Sequence, residues 1–357
     1  METIDFRLAV QADNEGILRL MHSIVMQGDI ELIYMKSPDF FKAVETQGFM
    51  QQVLVACRED GEIVATGVRA LRRANVNGQA QTIGYLGELR ISPEARHARV
   101  LFNGYKEMKA LMTDGQALLH MTTIVEGNRN AKAALTWKNR HSSIPNYVDM
   151  GLLRSYFIFP FLWKRVNRRF EISHGSMESL DAIVEFIAAK AALRQFYPLY
   201  SREDFLSLRD FRIEDFHVAK ENGRIVGLAA LWNQTGFKQI LVNKYNGKMR
   251  LLKRLFSHFL PDEGEVIANA CVSFIAIQDD RAEVLQAILS HIYNDVRRTN
   301  VRYFMLCMHE SDPLNDAVRH FPRLTYRSRL YVADYEDEES IRARIDDRIP
   351  YVEVATL

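Results

Sequence analysis

The sequence predicts an α/β protein of the α+β type, built as two tandem domains on one plan, each a mixed, mostly antiparallel sheet flanked by helices. Three observations predict it. A turn of one pattern occurs twice, as Glu59-Asp60-Gly61-Glu62-Ile63-Val64 and as Glu221-Asn222-Gly223-Arg224-Ile225-Val226. A second correspondence runs at a constant offset through the segments downstream of each turn. The length of 357 residues suits two domains of average size better than one.

Each half opens with a strand and an amphipathic helix, Ile4 to Val10 with Asn14 to Ile24, and Phe170 to Ile172 with Leu180 to Ala192. Asp-Gly and Asn-Gly are favoured two-residue hairpin turns because both central residues must take positive φ. Val53 to Cys57 precedes the first turn and Phe216 to Ala219 the second, so each half has a central hairpin. Downstream, Ile91 matches Ile275, Ala98 matches Ala282, and Met121 matches Met305. Leu101, Tyr105, Met108 and Met112 recur at helical spacing, as do Leu285, Ile288, Leu289, Ile292 and Val296. The strands His120 to Val125 and Tyr303 to Met308 follow. The second half adds a basic amphipathic helix around Met249 to Phe259. The boundaries are residues 1–165, residues 166–335, and an acidic tail over 336–357 that reads as a docking or fraying helix, with Ile341, Ile345 and Ile349 on one face.

Hydrophobic residues make up 48% of the chain and charged residues 25%, with a formal net charge of +1. No global basic field recommends nucleic acid, and the cluster Lys164, Arg165, Arg168 and Arg169 reads as a solvated connection. The apolar run Leu152 to Trp163 contains Arg154 and Pro160 and is too short to span a bilayer, so no membrane role is expected. Cys57, Cys271 and Cys307 have neither disulfide nor metal spacing, and METIDFRLAV is not a signal peptide. Together these predict a cytoplasmic location.

The segment Leu89-Arg90-Ile91-Ser92-Pro93-Glu94-Ala95-Arg96-His97-Ala98-Arg99-Val100-Leu101 runs from a strand through a turn into a helix. Such a turn presents unpaired N–H groups and the positive end of a helix dipole, which suits a pyrophosphate. Arg96, His97 and Arg99 add cationic donors. With Asn130-Ala131-Lys132-Ala133 beyond the next strand, these motifs resemble the GNAT acyltransferase superfamily over nearly the whole chain, as two tandem copies. The resemblance implies acetyl-CoA, or another acyl-CoA, bound by Leu89, Ile91, Arg96, His97, Ala98, Arg99, Val100, Leu101 and Asn130, with the pantetheine arm in a splay between two strands. Arg99 and Leu101 stand where the family has glycine or another small residue; the Arg99 side chain either crowds the loop or swings outward to a phosphate. In the second copy Asp280 stands at the place of Arg96 and Glu283 at that of Arg99. Carboxylates there repel a pyrophosphate, so this copy reads as degenerate.

Acyl transfer to an amine needs a neutral amine, a polarised thioester and a proton for the leaving thiolate. Glu88, on the strand before the phosphate loop, is the candidate base; its other reading is a carboxylate salt-bridged to Arg90 or Arg72. Alternation puts Glu88 on the face of Leu86 and Arg90, opposite Tyr85. Trp137 occupies the position at which the resemblance implies an acidic tyrosine. Tyr147 is the next candidate acid and otherwise a core aromatic; His141 is an alternative. The expected function is N-acyl transfer to a small-molecule or peptide amine held between the domains. The rivals are an inactive ligand-sensing or partner-binding protein, kept open by the missing glycines, and an aminoacyl-tRNA-dependent transferase, which the near-neutral charge opposes.

Overall fold

The computed structural model describes residues 4–27, 29–95, 98–136, 143–255 and 260–357. The first half runs β1 (Ile4–Leu8), α1 (Asn14–Ser23), β2 (Ile30–Met35), α2 (Phe40–Val44), β3 (Met50–Arg58), β4 (Ile63–Val76), β5 (Gln79–Ile91), α3 (Ala98–Met112), β6 (His120–Val125), α4 (Arg129–Thr136) and β7 (Asn146–Ile158). The second runs β8 (Glu171–His174), α5 (Leu180–Ala191), α6 (Arg202–Ser207), β9 (Phe216–Glu221), β10 (Arg224–Trp232), β11 (Gln239–Tyr245), α7 (Gly247–Leu255), β12 (Asn269–Ile277), α8 (Ala282–Val296), β13 (Tyr303–His309), β14 (Arg323–Asp334) and α9 (Glu338–Ala343).

Both expected hairpins form, by different turns. Asn222 and Gly223 take φ of 51° and 76°, the two-residue turn the sequence predicts. At the first turn only Gly61 has positive φ. There the Arg58 N–H donates to the Glu62 carbonyl at 2.9 Å and the Gly61 N–H to the Arg58 carbonyl at 3.0 Å, while Asp60 Oδ1 accepts from the Glu62 N–H at 3.0 Å. The loop is therefore longer, with a bulge at Val64, just after Ile63.

The two halves do not make two sheets. They form one twelve-stranded sheet in the order β1-β3-β4-β5-β6-β14-β7-β13-β12-β10-β9-β8. β14, late in the chain, pairs with β6 of the first half, and β7 of the first half pairs with β13 of the second. Each half lends its last long strand across the junction, and β14 and β7 pair with each other there. A second two-stranded ribbon crosses as well, with β2 antiparallel to β11. The main buried cluster accordingly mixes Tyr85, Met121 and Leu153 with Phe274, Leu306 and Val332.

Segment 336–357 does more than dock a helix. Ile341 of α9 is fully buried, and the chain then threads extended through the interior, with Val352, Glu353, Ala355 and Thr356 all under 5% exposed. The Gln195 N–H donates to the Ile349 carbonyl and its carbonyl accepts from the Tyr351 N–H, which ties this path to the chain after α5.

Gly84 marks where β5 meets β6. A Cβ there would lie 2.1 Å from Cδ2 of His120, a buried imidazole whose Nε2 accepts from Arg69 Nε at 2.9 Å. His120 is fixed by this bond and cannot retreat. Gly84→Ala is expected to destabilise the fold by about 1–3 kcal/mol in a urea titration.

Candidate functional site

β5 and β6 pair in parallel only at Gly84–His120 and Tyr85–Met121. The Thr122 hydroxyl then donates to the Leu86 carbonyl at 2.7 Å. Beyond that bond no backbone pair joins the two strands among the described residues, and they diverge toward the start of α3. The sequence-predicted residues fall on β5, α3 and α4 around this divergence. Leu89 is exposed and Ile91 half-buried, and Val100 packs into a cluster with Ala56, Val64, Ala65 and Ala95. Leu101 packs against the cluster of Tyr105 and Met108. Arg99 is exposed at the helix start. Ala98 opens α3. Arg96, His97, Trp137 and His141 lie outside the described residues. Asn130 is exposed in α4, whose first turn is capped by Asn128: its Oδ1 accepts from the Ala131 N–H at 3.0 Å.

The second half repeats the geometry. β12 and β13 pair in parallel at three positions and then diverge. Both long strands carry a bulge with a non-glycine residue at positive φ, Glu88 at 52° and Phe274 at 56°. The bulges align Ile91 with Ile277, so the gapless match of Ile91 to Ile275 is two residues out on the strand, although it holds for α3 and α8.

This second divergence is closed. Arg194 bonds Asp280 at 2.5 Å and reaches Asp312 at 3.5 Å, bridging the loop after β12 to the end of β13. What remains beside it is a cavity of ≈ 30 Å³ lined by Tyr197, Ile277, Met308 and Tyr351. Glu353 accepts from the Phe274 N–H at 2.7 Å, so the chain's own carboxylate occupies the backbone donor at the bulge. Glu283 is held by Arg281 at 2.9 Å. The carboxylates are thus tied into local ion pairs, a stronger obstacle than repulsion alone.

Glu88 departs from the alternation. Leu86 packs with Tyr105 and Met108 of α3, whereas Glu88 bonds Lys36, at the end of the β2–β11 ribbon, at 3.1 Å. The bulge turns it to the other face. Its second partner is Arg90 at 3.5 Å, so the salt-bridged reading of this residue is the one observed, with Lys36 as the nearer cation. Burial pushes the Glu88 carboxyl up, but Lys36, Arg90 and Lys238 outweigh it and bring it down to about 2. A carboxylate that acidic is a poor proton acceptor at neutral pH.

Sequence reasoning missed the two lysines. Lys36 is 3% exposed. Lys238 is half-buried, but its ammonium is enclosed and donates to the Leu357 carbonyl. Burial, then the neighbouring Lys36 charge, pulls Lys238 down to about 8, against the opposing pull of Cys271, Glu88 and Glu353. No motif marks either residue, since they come together only because β2 pairs with β11.

Tyr147 is not brought to Glu88. Register runs Gly84–His120–Ala333–Tyr147 across the sheet. Tyr147 therefore stands four residues up-strand of Glu88 and three strands away, roughly 20 Å by strand geometry. Its hydroxyl shares a 2.5 Å hydrogen bond with Tyr105, and its ring meets Tyr331 edge-on. The structure shows it as an aromatic of the α3-side core.

No protein-family model and no curated protein matches the chain. Solved structures do. The chain superposes on Saccharomyces cerevisiae N-myristoyltransferase with bound myristoyl-CoA with a TM-score of 0.62, over 95% of this chain and 84% of that one, at 11% identity. On the GCN5-related N-acetyltransferase from Sphaerobacter thermophilus the TM-score is 0.59, over 99% and 98%, at 13% identity. On a probable N-acyltransferase from Enterococcus faecalis V583 it is 0.52, over 92% and 72%, at 12% identity. With two diverging strand pairs, two bulges and two copies of one element order, the chain has the GNAT fold in its tandem form.

Proposed function

We propose that the protein is an N-acyltransferase that takes an acyl group, acetyl in the simplest case, from CoA on the first half and passes it to an amine held between the halves. The observation that carries this reading is the asymmetry of the two divergences. One leads to a helix start with an exposed arginine; the other is bridged by Arg194 and filled by Glu353. The pantetheine would lie along Leu89 and Ile91, and the phosphates at the residue 96–101 turn, with Arg99 as a cationic donor.

In this reading Lys238 accepts the amine's proton and Glu88 does not. Lysines pulled toward 8 are suited to that task, whereas a carboxylate at about 2 serves as a fixed charge. Glu88 and Lys36 then set the field around Lys238. The three buried, unpaired thiols Cys57, Cys271 and Cys307 suit a reducing compartment, the cytoplasm. No described helix is long and apolar enough to cross a membrane.

The test is thiol release from acetyl-CoA across a panel of primary amines and short peptides. Amine-dependent release that rises with pH and levels above about 8 supports the reading. Release that is absent with every amine, alongside retained CoA binding, would favour a ligand-sensing role.

A further inference from the structure

Far from the first-half divergence, three histidines and an aspartate converge where α8 packs on the edge strands β8 and β9. His174 comes from β8, His217 from β9, and His291 and Asp295 from one face of α8, four residues apart. One ligand atom from each, His174 Nε2, His217 Nδ1, His291 Nδ1 and Asp295 Oδ2, lies within 4.8 Å of all the others. Asp295 Oδ2 is 3.2 Å from His291 Nδ1, 3.5 Å from His174 Nε2 and 3.9 Å from His217 Nδ1. The nitrogens of His217 and His291 are 3.0 Å apart.

These separations are those of a coordination shell. Zinc bonds to histidine nitrogen and carboxylate oxygen are about 2.0–2.2 Å, and a tetrahedron of that size has edges of about 3.3–3.6 Å. The four separations above run from 3.0 to 3.9 Å and bracket that value, and the widest pair lies within 4.8 Å. Three further observations point to a cation. Asp295 Oδ2 is buried and makes no hydrogen bond, although three imidazoles surround it. His174 Nδ1 lies 2.8 Å from the Glu214 carbonyl, which can only accept, so Nδ1 donates there and Nε2 is the nitrogen turned toward the carboxylate. Histidine ligands are oriented in just this way by a backbone carbonyl. Asp295 also sits in the last turn of α8, where the helix dipole disfavours a negative charge unless a cation offsets it.

We propose that His174, His217, His291 and Asp295 bind one divalent transition-metal ion, zinc by ligand type and geometry, as a structural clamp joining α8 to the strand pair β8–β9 at the sheet edge. Four protein ligands leave no open position, which assigns the metal to structure rather than to catalysis.

The experiment uses the full chain, stripped with chelator and titrated with Co²⁺ alone, followed by Zn²⁺ competition. The expected result is one Co²⁺ per chain with the intense visible absorption of a tetrahedral site, displaced by Zn²⁺, and a rise in Tm with Zn²⁺. Asp295→Asn, at a partly exposed position, keeps the fold and lowers Zn²⁺ affinity by more than the roughly 10–100-fold typical of an outer-shell partner. His217→Ala abolishes the tetrahedral spectrum, and His22→Ala, on α1, leaves it intact. Absence of saturable Co²⁺ binding at micromolar concentrations, or binding unchanged in Asp295→Asn, overturns the proposal; the histidines then form only a proton-sharing imidazole stack.

Discussion

Lys36→Met is expected to destabilise the protein by about 3–5 kcal/mol in urea unfolding at pH 7. The Lys36 and Glu88 side chains are 4% and 8% exposed, so this ion pair is removed from water on both sides. Deleting the cation leaves the carboxylate buried, with Arg90 at 3.5 Å and the more distant charge of Lys238 to offset it. The double variant Lys36→Met/Glu88→Gln removes both charges and is expected to recover most of the loss, as buried pairs replaced together do. The pH dependence has a definite sign. Glu88 has a folded pKa of about 2, below its unfolded value of about 4.3. Its contribution is therefore fully present above that unfolded value and is lost as pH falls toward 2. In Glu88→Gln the acid limb of the stability curve flattens over that interval.

Lys238→Met carries the second large effect, a fall in kcat of about 100-fold or more, with KM for acyl-CoA little changed. In the unaltered protein kcat is expected to rise with pH as Lys238 loses its proton and to level above about 8. Glu88 raises the pKa of Lys238, so Glu88→Gln should move this limb to lower pH while turnover persists. That outcome separates the two candidate bases. If Glu88 itself took the proton, Glu88→Gln would lose turnover at every pH and the limb would not shift.

Local chemistry made much of the fold legible. The Asn222-Gly223 turn, the helical spacing from Leu101 to Met112 and the paired opening elements each depend on residues close in sequence, and each is seen. What the sequence hid depends on distant partners. The exchange of β7 and β14 follows from pairing across the junction, and nothing in the alternation of either strand says which neighbour it will take. The bulges carry Glu88 and Phe274 at positive φ, where glycine would have announced them, so both the face of Glu88 and the alignment of the two halves were misjudged. Lys36 and Lys238 lie some two hundred residues apart in the chain and meet only through the β2–β11 ribbon. The same holds for the four residues around Asp295, whose spacing matches no metal motif. The carboxylates Asp280 and Glu283 at the second copy's turn are read directly from residue type; the bridge that Arg194 makes to Asp280 and Asp312 is not.

Isothermal titration with acetyl-CoA and with free CoA tests the central claim most directly. The account predicts one site per chain, weakened at least about tenfold by Arg99→Glu through loss and reversal of a phosphate partner, and unchanged by Glu283→Ala. Two sites per chain, or a single site lost on Glu283→Ala and indifferent to Arg99→Glu, would contradict the assignment of the first half. No binding of either ligand would contradict the acyltransferase reading itself.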